Sequence, residues 1–332
     1  MSNEVIYKSL LNIKETQHAI DEVRKIFQAQ FSKKLKLIRV TAPLFVTEES
    51  KINDGLNGEI PVRFKVKGYT DTELQIVHSL AKWKRVALQK YGFGIHEGIY
   101  TDMNAIRRYE TLDNTHSFYV DQWDWELFIR DKEANNSFLK KTVKKIYDVL
   151  LHVEKKVNKA FPVLSPKLPE KISFITSAEL LDMYPDLSVE ERENAYAREH
   201  KAFFVSQVGY PLSNGEPHGK RAFDYDNWKL NGDLIVYDAI NDKALELSSM
   251  GIRVDYKALK KQQSFAEKPN SELGAYHMKI YNKELPLSIG GGIGQSRLCM
   301  FFLEKKHIGE VQSSFWPDDM LASLKSVGIR LL

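Results

Sequence analysis

Gly290-Gly291-Gly292-Ile293-Gly294-Gln295-Ser296-Arg297 sets four glycines and an arginine directly ahead of residues 298–305, whose apolar side chains fit a buried helix. Glycines before a helix let backbone approach a ligand closely, and the start of a helix favours phosphate. Neither common phosphate loop is present. No Gly-Lys-Ser/Thr follows, and Gln295 stands where the dinucleotide fingerprint requires its third glycine. A turn that packs a helix on a sheet explains the same residues equally well. The rest of the chain decides what this stretch belongs to.

Upstream of it, strand-like segments accumulate. Residues 35–40 read as a strand ended by Thr41-Ala42-Pro43, a polar loop covers 47–58, and 62–66 and 74–77 alternate as half-buried strands. The stretch 98–130 is strand-like throughout, and 172–175, 202–208, 233–239 and 243–250 extend the set. Helical spacing marks 5–31, 80–91 and 138–160, with shorter helices over 178–184, 189–199 and 258–265. The segment 162–169, with three prolines, is the best internal boundary. Strands resume beyond it, so a single interrupted sheet flanked by helices, an α+β fold in one domain over 1–332, explains the chain better than two domains.

Composition narrows the functional classes. The 332 residues are 43% hydrophobic, enough for a sizeable core, and 48 basic against 44 acidic residues leave a formal charge of only +4. That balance argues against a nucleic-acid partner. The basic pairs Lys33-Lys34, Lys140-Lys141, Lys144-Lys145, Lys155-Lys156 and Lys305-Lys306 are scattered and read as solvated faces. One cysteine, Cys299, forbids an intrachain disulfide and suits a reducing compartment. Met1-Ser2-Asn3-Glu4 lacks a basic n-region, and no apolar run approaches the ~20 residues of a membrane span. Cytoplasmic residence, with no membrane partner, is the expectation.

Three further stretches could carry chemistry. His78-Ser79-Leu80-Ala81-Lys82-Trp83-Lys84-Arg85 crowds three cations at a helix start, against the macrodipole, so that an anion nearby would relieve the conflict. A solvated helix face over a buried Trp83 is the plainer reading. In Val120-Asp121-Gln122-Trp123-Asp124-Trp125-Glu126, period-two alternation sets Gln122, Asp124 and Glu126 on one face and Asp121, Trp123 and Trp125 on the other. A surface strand explains this, but the aromatics suggest burial, and buried carboxylates need partners. Glu246 and Ser248 share a face in 245–253, and further carboxylates lie in Asp224-Tyr225-Asp226 and at Asp233. Together these supply carboxylates able to hold Mg²⁺ or an ammonium group, and arginines, Arg107 and Arg297, able to grip phosphate. The motifs of zinc hydrolases and serine hydrolases, His-Glu-x-x-His, paired Cys and Gly-x-Ser-x-Gly, are absent.

The blocks 78–85, 119–126, 246–253 and 290–297, in this order, resemble the signature segments of the ammonia-dependent asparagine synthetases, or aspartate–ammonia ligases, and the resemblance runs nearly end to end. That family is similar to the catalytic core of class II aminoacyl-tRNA synthetases. The resemblance therefore implies a mostly antiparallel mixed sheet flanked by helices, and a homodimer whose first motif would be 39–44 with Pro43. The region of Arg107 would be the second motif and 290–297 the third. It also implies a reaction: L-aspartate and ATP give β-aspartyl-AMP and pyrophosphate, and ammonia displaces AMP. Arg107 would neutralise the α-phosphate, and Arg297, with Gly292 and Gly294, would hold the nucleotide. Glu246 and Asp233 would hold Mg²⁺ and the phosphates, with Ser249 assisting. Ser79, Lys84, Gln122, Asp124 and Asp226 match positions lining the amino-acid pocket, Gln122 also with a catalytic role, and Asp54 would bind ammonium as general base. Free ammonia is expected on separate grounds too, since glutamine-dependent enzymes commonly use a cysteine nucleophile, whereas Ser2 follows Met1 here and Cys299 lies in an apolar helix. Departures from the family pattern fall at Phe223, Asn227 and Tyr109 and in a short connection over 228–231. A tRNA synthetase fragment, or a silent nucleotide or amino-acid sensor on the same fold, are the alternatives.

Overall fold

The computed structural model describes residues 7–55 and 58–332. Eight strands form one sheet in the order β1 (Leu37–Arg39), β5 (Gly98–Ile106), β6 (Tyr119–Phe128), β11 (Ser288–Gly294), β10 (Lys243–Arg253), β9 (Asp226–Asp238), β8 (Ala202–Ser206), β7 (Ser173–Thr176). The inner pairs are antiparallel, and only the two edge pairs, β1 with β5 and β7 with β8, are parallel. A second, separately hydrogen-bonded sheet holds β2 (Phe45–Thr47), β4 (Tyr69–Ile76) and β3 (Arg63–Val66), and Val46 packs in one cluster with Met103 and Ala105 of β5.

One face of the large sheet is covered by α1 (Ile13–Leu35) and α3 (Asn136–Ala160). Asn12 starts α1 with a capping box to Glu15, and Lys36 ends it in the left-handed conformation. Its apolar stripe then meets the tryptophan face of β6: Phe27 stacks on Trp123 with centroids 4.3 Å apart, and Phe31 meets Trp125 edge-on at 6.0 Å. On the other face sit α2 (Ala81–Lys90), α6 (Tyr256–Phe265) and α7 (Ala275–Tyr281). The helices α4 (Ser177–Met183) and α5 (Val189–His200) pack near β7 to β9, α8 (Gln295–Phe302) follows β11, and α9 (Asp318–Ser326) buries none of its residues.

The expected α+β sheet is present, with instructive differences. The first helix begins at Ile13, and Val5 and Ile6 lie outside the described residues. The strand-like stretch 98–130 is two strands with a loop between them, and 138–160 is one helix. The proline segment does not part the chain. Leu164 is buried, and the Glu154 carboxylate on α3 accepts from the Lys167 and Leu168 amides at 2.7 and 3.1 Å, so the segment is tied down on the way to β7. Residues 228–231 are not a connection, because β9 already runs from Asp226. The pair Lys305-Lys306 is no solvated face: Lys305 is buried and donates to Ser9, the Leu11 carbonyl and Thr16. No helix among the described residues is long and apolar enough to cross a membrane.

Candidate active site

The polar face of β6 lies opposite its tryptophans and lines a cavity of 380 Å³ with parts of β10, β11, α2 and the loops beside them. Glycines make the room. A Cβ at Gly290 would collide with the Glu126 carboxylate and Arg253, and one at Gly292 would collide with Gln122 and stand 2.8 Å from Asp124 Oδ1. The glycine run is thus an interior strand, β11, and not a loop ahead of a helix. Its bare backbone accommodates the charged heads of β6, its neighbour in the sheet.

The three cations of α2 reverse the plainer expectation, since Lys82, Lys84 and Arg85 are buried while Trp83 is half-buried. Each has a defined partner. Lys82 pairs with Asp224 at 2.9 Å, and Arg85 donates to the Pro286 and Val254 carbonyls. Lys84, on the cavity wall, donates to the Gly291 carbonyl at 2.8 Å and pairs with Asp124 at 2.9 Å. Burial pulls the Lys84 ammonium below its ordinary pKa, and the Asp124 charge opposes that pull. Asp124 Oδ1 is buried with no hydrogen-bond partner, which leaves an acceptor for a ligand donor.

Behind them lies a buried ion triad. Arg253 forks onto Glu126, Nη2 to Oε2 at 2.6 Å and Nε to Oε1 at 2.9 Å, and also pairs with Asp226, while Ser288 donates to Glu126 at 2.6 Å. Although burial opposes it, Arg253 holds the Glu126 carboxyl below the usual range, whereas burial prevails at Asp226 and pushes it up.

Arg107, Arg297 and Glu246 line the same cavity. Arg107 follows β5, 3.9 Å from Glu110, and its buried Nε has no acceptor. Arg297, in the first turn of α8, donates to the Glu246 carbonyl at 3.1 Å. Regular alternation would set Glu246 with Ser248 and against Ser249. A register shift between Glu246 and Ser248 changes this, so Glu246 and Ser249 both line the cavity while Ser248 donates to the Gly292 carbonyl.

A family model described as aspartate–ammonia ligase matches residues 14–328. The chain belongs to the aspartate–ammonia ligase family. Curated family members from Clostridium tetani and Bacillus cereus are each 51% identical over 327 residues, covering 98% of this chain and 96% and 100% of theirs. One from Clostridium perfringens is 52% identical. Among solved structures, asparaginyl-tRNA synthetases from Entamoeba histolytica and Pyrococcus horikoshii, both complexed with asparaginyl-adenylate, superpose with a TM-score of 0.66 at 14% and 16% identity. The chain spans 66% and 70% of those two, and the likeness shows the class II synthetase fold.

Of the family positions carried onto this sequence, Asp54, Ser79, Lys84, Arg107, Gln122, Asp124, Asp226, Glu246, Ser249, Gly292, Gly294 and Arg297 all line the cavity. Asp233 does not. It stands behind Arg221, a cavity residue that pairs with its Oδ2, while its Oδ1 is buried without a partner. Sequence reasoning passed over Arg221 and Tyr225, whose hydroxyl donates to Asp54 at 3.1 Å. The signal was present as Lys220-Arg221, a basic pair directly ahead of Asp224-Tyr225-Asp226. The departures Phe223, Asn227 and Tyr109 are not in the lining: Phe223 is buried in a cluster with Trp228 and Leu259, and Tyr109 is exposed.

Proposed function

We propose that this chain makes asparagine from L-aspartate, ATP and ammonia by way of β-aspartyl-AMP, releasing AMP and pyrophosphate. The observation that carries the reading is that Arg107, Arg297 and Glu246 line the same cavity as Lys84, Asp124 and Asp54. Lys84, with two of its three donors engaged, offers the third to a substrate carboxylate, and Asp124 Oδ1 accepts from the substrate ammonium. Gln122, Ser79 and Asp226 complete the amino-acid side. Held there, the β-carboxylate of aspartate attacks the α-phosphorus, and Arg107 stabilises the charge that develops on phosphate. Arg297 grips the nucleotide with its planar fork beside the bare backbone of Gly292 and Gly294. Ammonia then attacks the β-carbonyl carbon and AMP departs. Asp54 binds ammonium and begins its deprotonation, because the cation has no lone pair with which to attack.

Glu246, on the cavity wall, is the residue that would hold Mg²⁺, with Ser249 beside it, whereas Asp233, expected to share the ion, stands outside the lining and is paired with Arg221. No group of three or more metal-binding side chains occurs among the described residues, but this ion needs only one or two carboxylates together with substrate phosphates, a use that Glu246 on the cavity wall fits. When bound, the ion neutralises phosphate charge. Residues 1–332 act as one catalytic domain in a cytoplasmic homodimer. In support, β1 is a sheet edge and exposes Ile38, with Leu44 and Phe45 exposed just beyond it. Cys299 is fully buried, its thiol pushed up to about 12, which removes it as a nucleophile for releasing ammonia from glutamine.

Product analysis tests the reading. Incubated with ATP, Mg²⁺ and aspartate, the protein should yield AMP and pyrophosphate, and asparagine with ammonium but not with glutamine; ADP and inorganic phosphate would refute it. Asp54→Asn should spare aspartate-dependent exchange of pyrophosphate into ATP while lowering nitrogen transfer by roughly 10²-fold or more. Arg107→Ala should lower the exchange itself by a similar factor, about 10²–10³-fold.

A further inference from the structure

We propose that His78 receives the proton that Asp54 draws from ammonium, so that the base of the nitrogen-transfer step is a pair rather than one carboxylate. The proposal rests on the reading of Asp54 given above. His78 lies between β4 and α2, and its imidazole is fully buried. Among the described residues neither ring nitrogen has a partner at full hydrogen-bond geometry, and the one hydrogen-bonding group that acts on the ring is the Asp54 main chain, although buried polar atoms in folded proteins nearly always find a close partner. A single side chain holds this residue and Asp54 in fixed relation. Asn53 Oδ1 accepts from the Asp54 amide at 2.9 Å and from the His78 amide at 2.8 Å, while its Nδ2 donates to the Ile76 carbonyl at 3.2 Å and to Gln75 at 3.3 Å. Tyr225 holds the Asp54 carboxylate from the cavity side.

The charged groups that face the imidazole are Asp54, Glu59 and Arg107. Glu59 Oε2 is itself buried without a partner. Burial keeps the imidazole below its ordinary pKa, so it is neutral near pH 7 and has a lone pair to offer. Once protonated, it faces two carboxylates against one guanidinium, charges that offset part of the burial penalty on the cation. A carboxylate alone is a weak base toward ammonium, and any proton it kept would have to be removed before the next turnover.

The step balances as follows. An N–H bond of ammonium breaks with its electrons remaining on nitrogen, and the proton passes through the Asp54 carboxylate to a ring nitrogen of His78. The freed lone pair forms the C–N bond at the β-carbonyl carbon. The bond from that carbon to the phosphate oxygen breaks, and AMP leaves with the electron pair. The surplus proton on the new amide nitrogen goes to water, as does the proton on His78, which restores the neutral ring.

Hydroxylamine supplies the test, because at neutral pH it is largely uncharged and needs no proton removed before it attacks. In His78→Gln, asparagine formation from ammonium should fall roughly 10²-fold near pH 7, while aspartyl hydroxamate formation from hydroxylamine and aspartate-dependent pyrophosphate exchange change by no more than about threefold. The ammonium deficit should also shrink as pH rises and free ammonia replaces ammonium. Glu59→Gln should show a smaller deficit of the same kind. Equal losses with both nucleophiles, loss of pyrophosphate exchange, or an undiminished ammonium reaction would each overturn the proposal. If Asp54→Asn leaves the ammonium reaction intact, it is the reading of Asp54 that fails.

Discussion

At Gly292 one added carbon would meet the Gln122 amide and the Asp124 carboxylate together. Gly292→Ala should therefore fold, yet raise the aspartate concentration needed for pyrophosphate exchange by roughly 10-fold or more, about 1.4 kcal/mol, and weaken ATP binding measured without aspartate by less, because the added carbon meets Gln122 and Asp124 on the amino-acid side. Equal losses for both substrates would show that the strand, and not the pocket, had been disturbed. Individual residues were legible in the sequence where family blocks covered them, which is why most of the expected positions meet in one cavity. What was not legible was the state of each charge. Lys82, Lys84 and Arg85 look like a solvated helix face until Asp224, Asp124 and the Val254 carbonyl, between 40 and 169 positions away, are brought to them. Arg221 was missed for the same reason, since its partner Asp233 lies on a strand that local pattern reads only in part.

At the scale of elements, hydrophobic period worked for the long elements with one dry face and missed the short helix α7, although Tyr276 and Ile280 are buried there. α1 could be read because Phe27 and Phe31 fall on a single stripe, and β6 because its tryptophans alternate with polar residues. Phe27→Ala should cost about 3–5 kcal/mol in urea unfolding, through the lost contact with Trp123 and the cavity left behind. A cost below ~1 kcal/mol would mean that α1 repacks freely on the sheet. Two elements without a dry face, β2 and α9, escaped the sequence. The short strand β2 has no buried residue, and α9 buries none either. β11 was hidden for the opposite reason: its glycines carry no side chains for a period to show, and only the neighbouring strands' charges explain them.

At the scale of the molecule, several groups are kept neutral by burial, and this makes stability depend on pH. His307 is buried and its ring Nδ1 accepts from the Gly309 amide at 3.0 Å; burial lowers its pKa to about 4, against the opposing pull of Asp113. The folded value lies below the ordinary ~6.5, so the unfolded chain binds the extra proton first. The contribution of His307 is complete above about pH 6.5 and is lost as pH falls through about 4. His307→Asn, which keeps an acceptor for Gly309, should flatten that part of the decline in urea midpoint, and parallel curves for the two proteins would argue against the assignment. The sheet order carries a different lesson. β11 lies between β6 and β10 in space, yet it is the last strand of the sheet to be synthesised. On a ribosome, which releases chain from its N-terminal end, Glu126 must emerge well before Arg253 and Ser288, its counter-charge and its hydroxyl donor. The two ladders flanking the middle of the sheet must then stay open, with polar edges wet, until Ser288–Gly294 arrives to close them. A ribosome stalled short of residue 288 would hold two half-sheets and no binding floor, so the newborn protein is committed to waiting rather than to stepwise maturation.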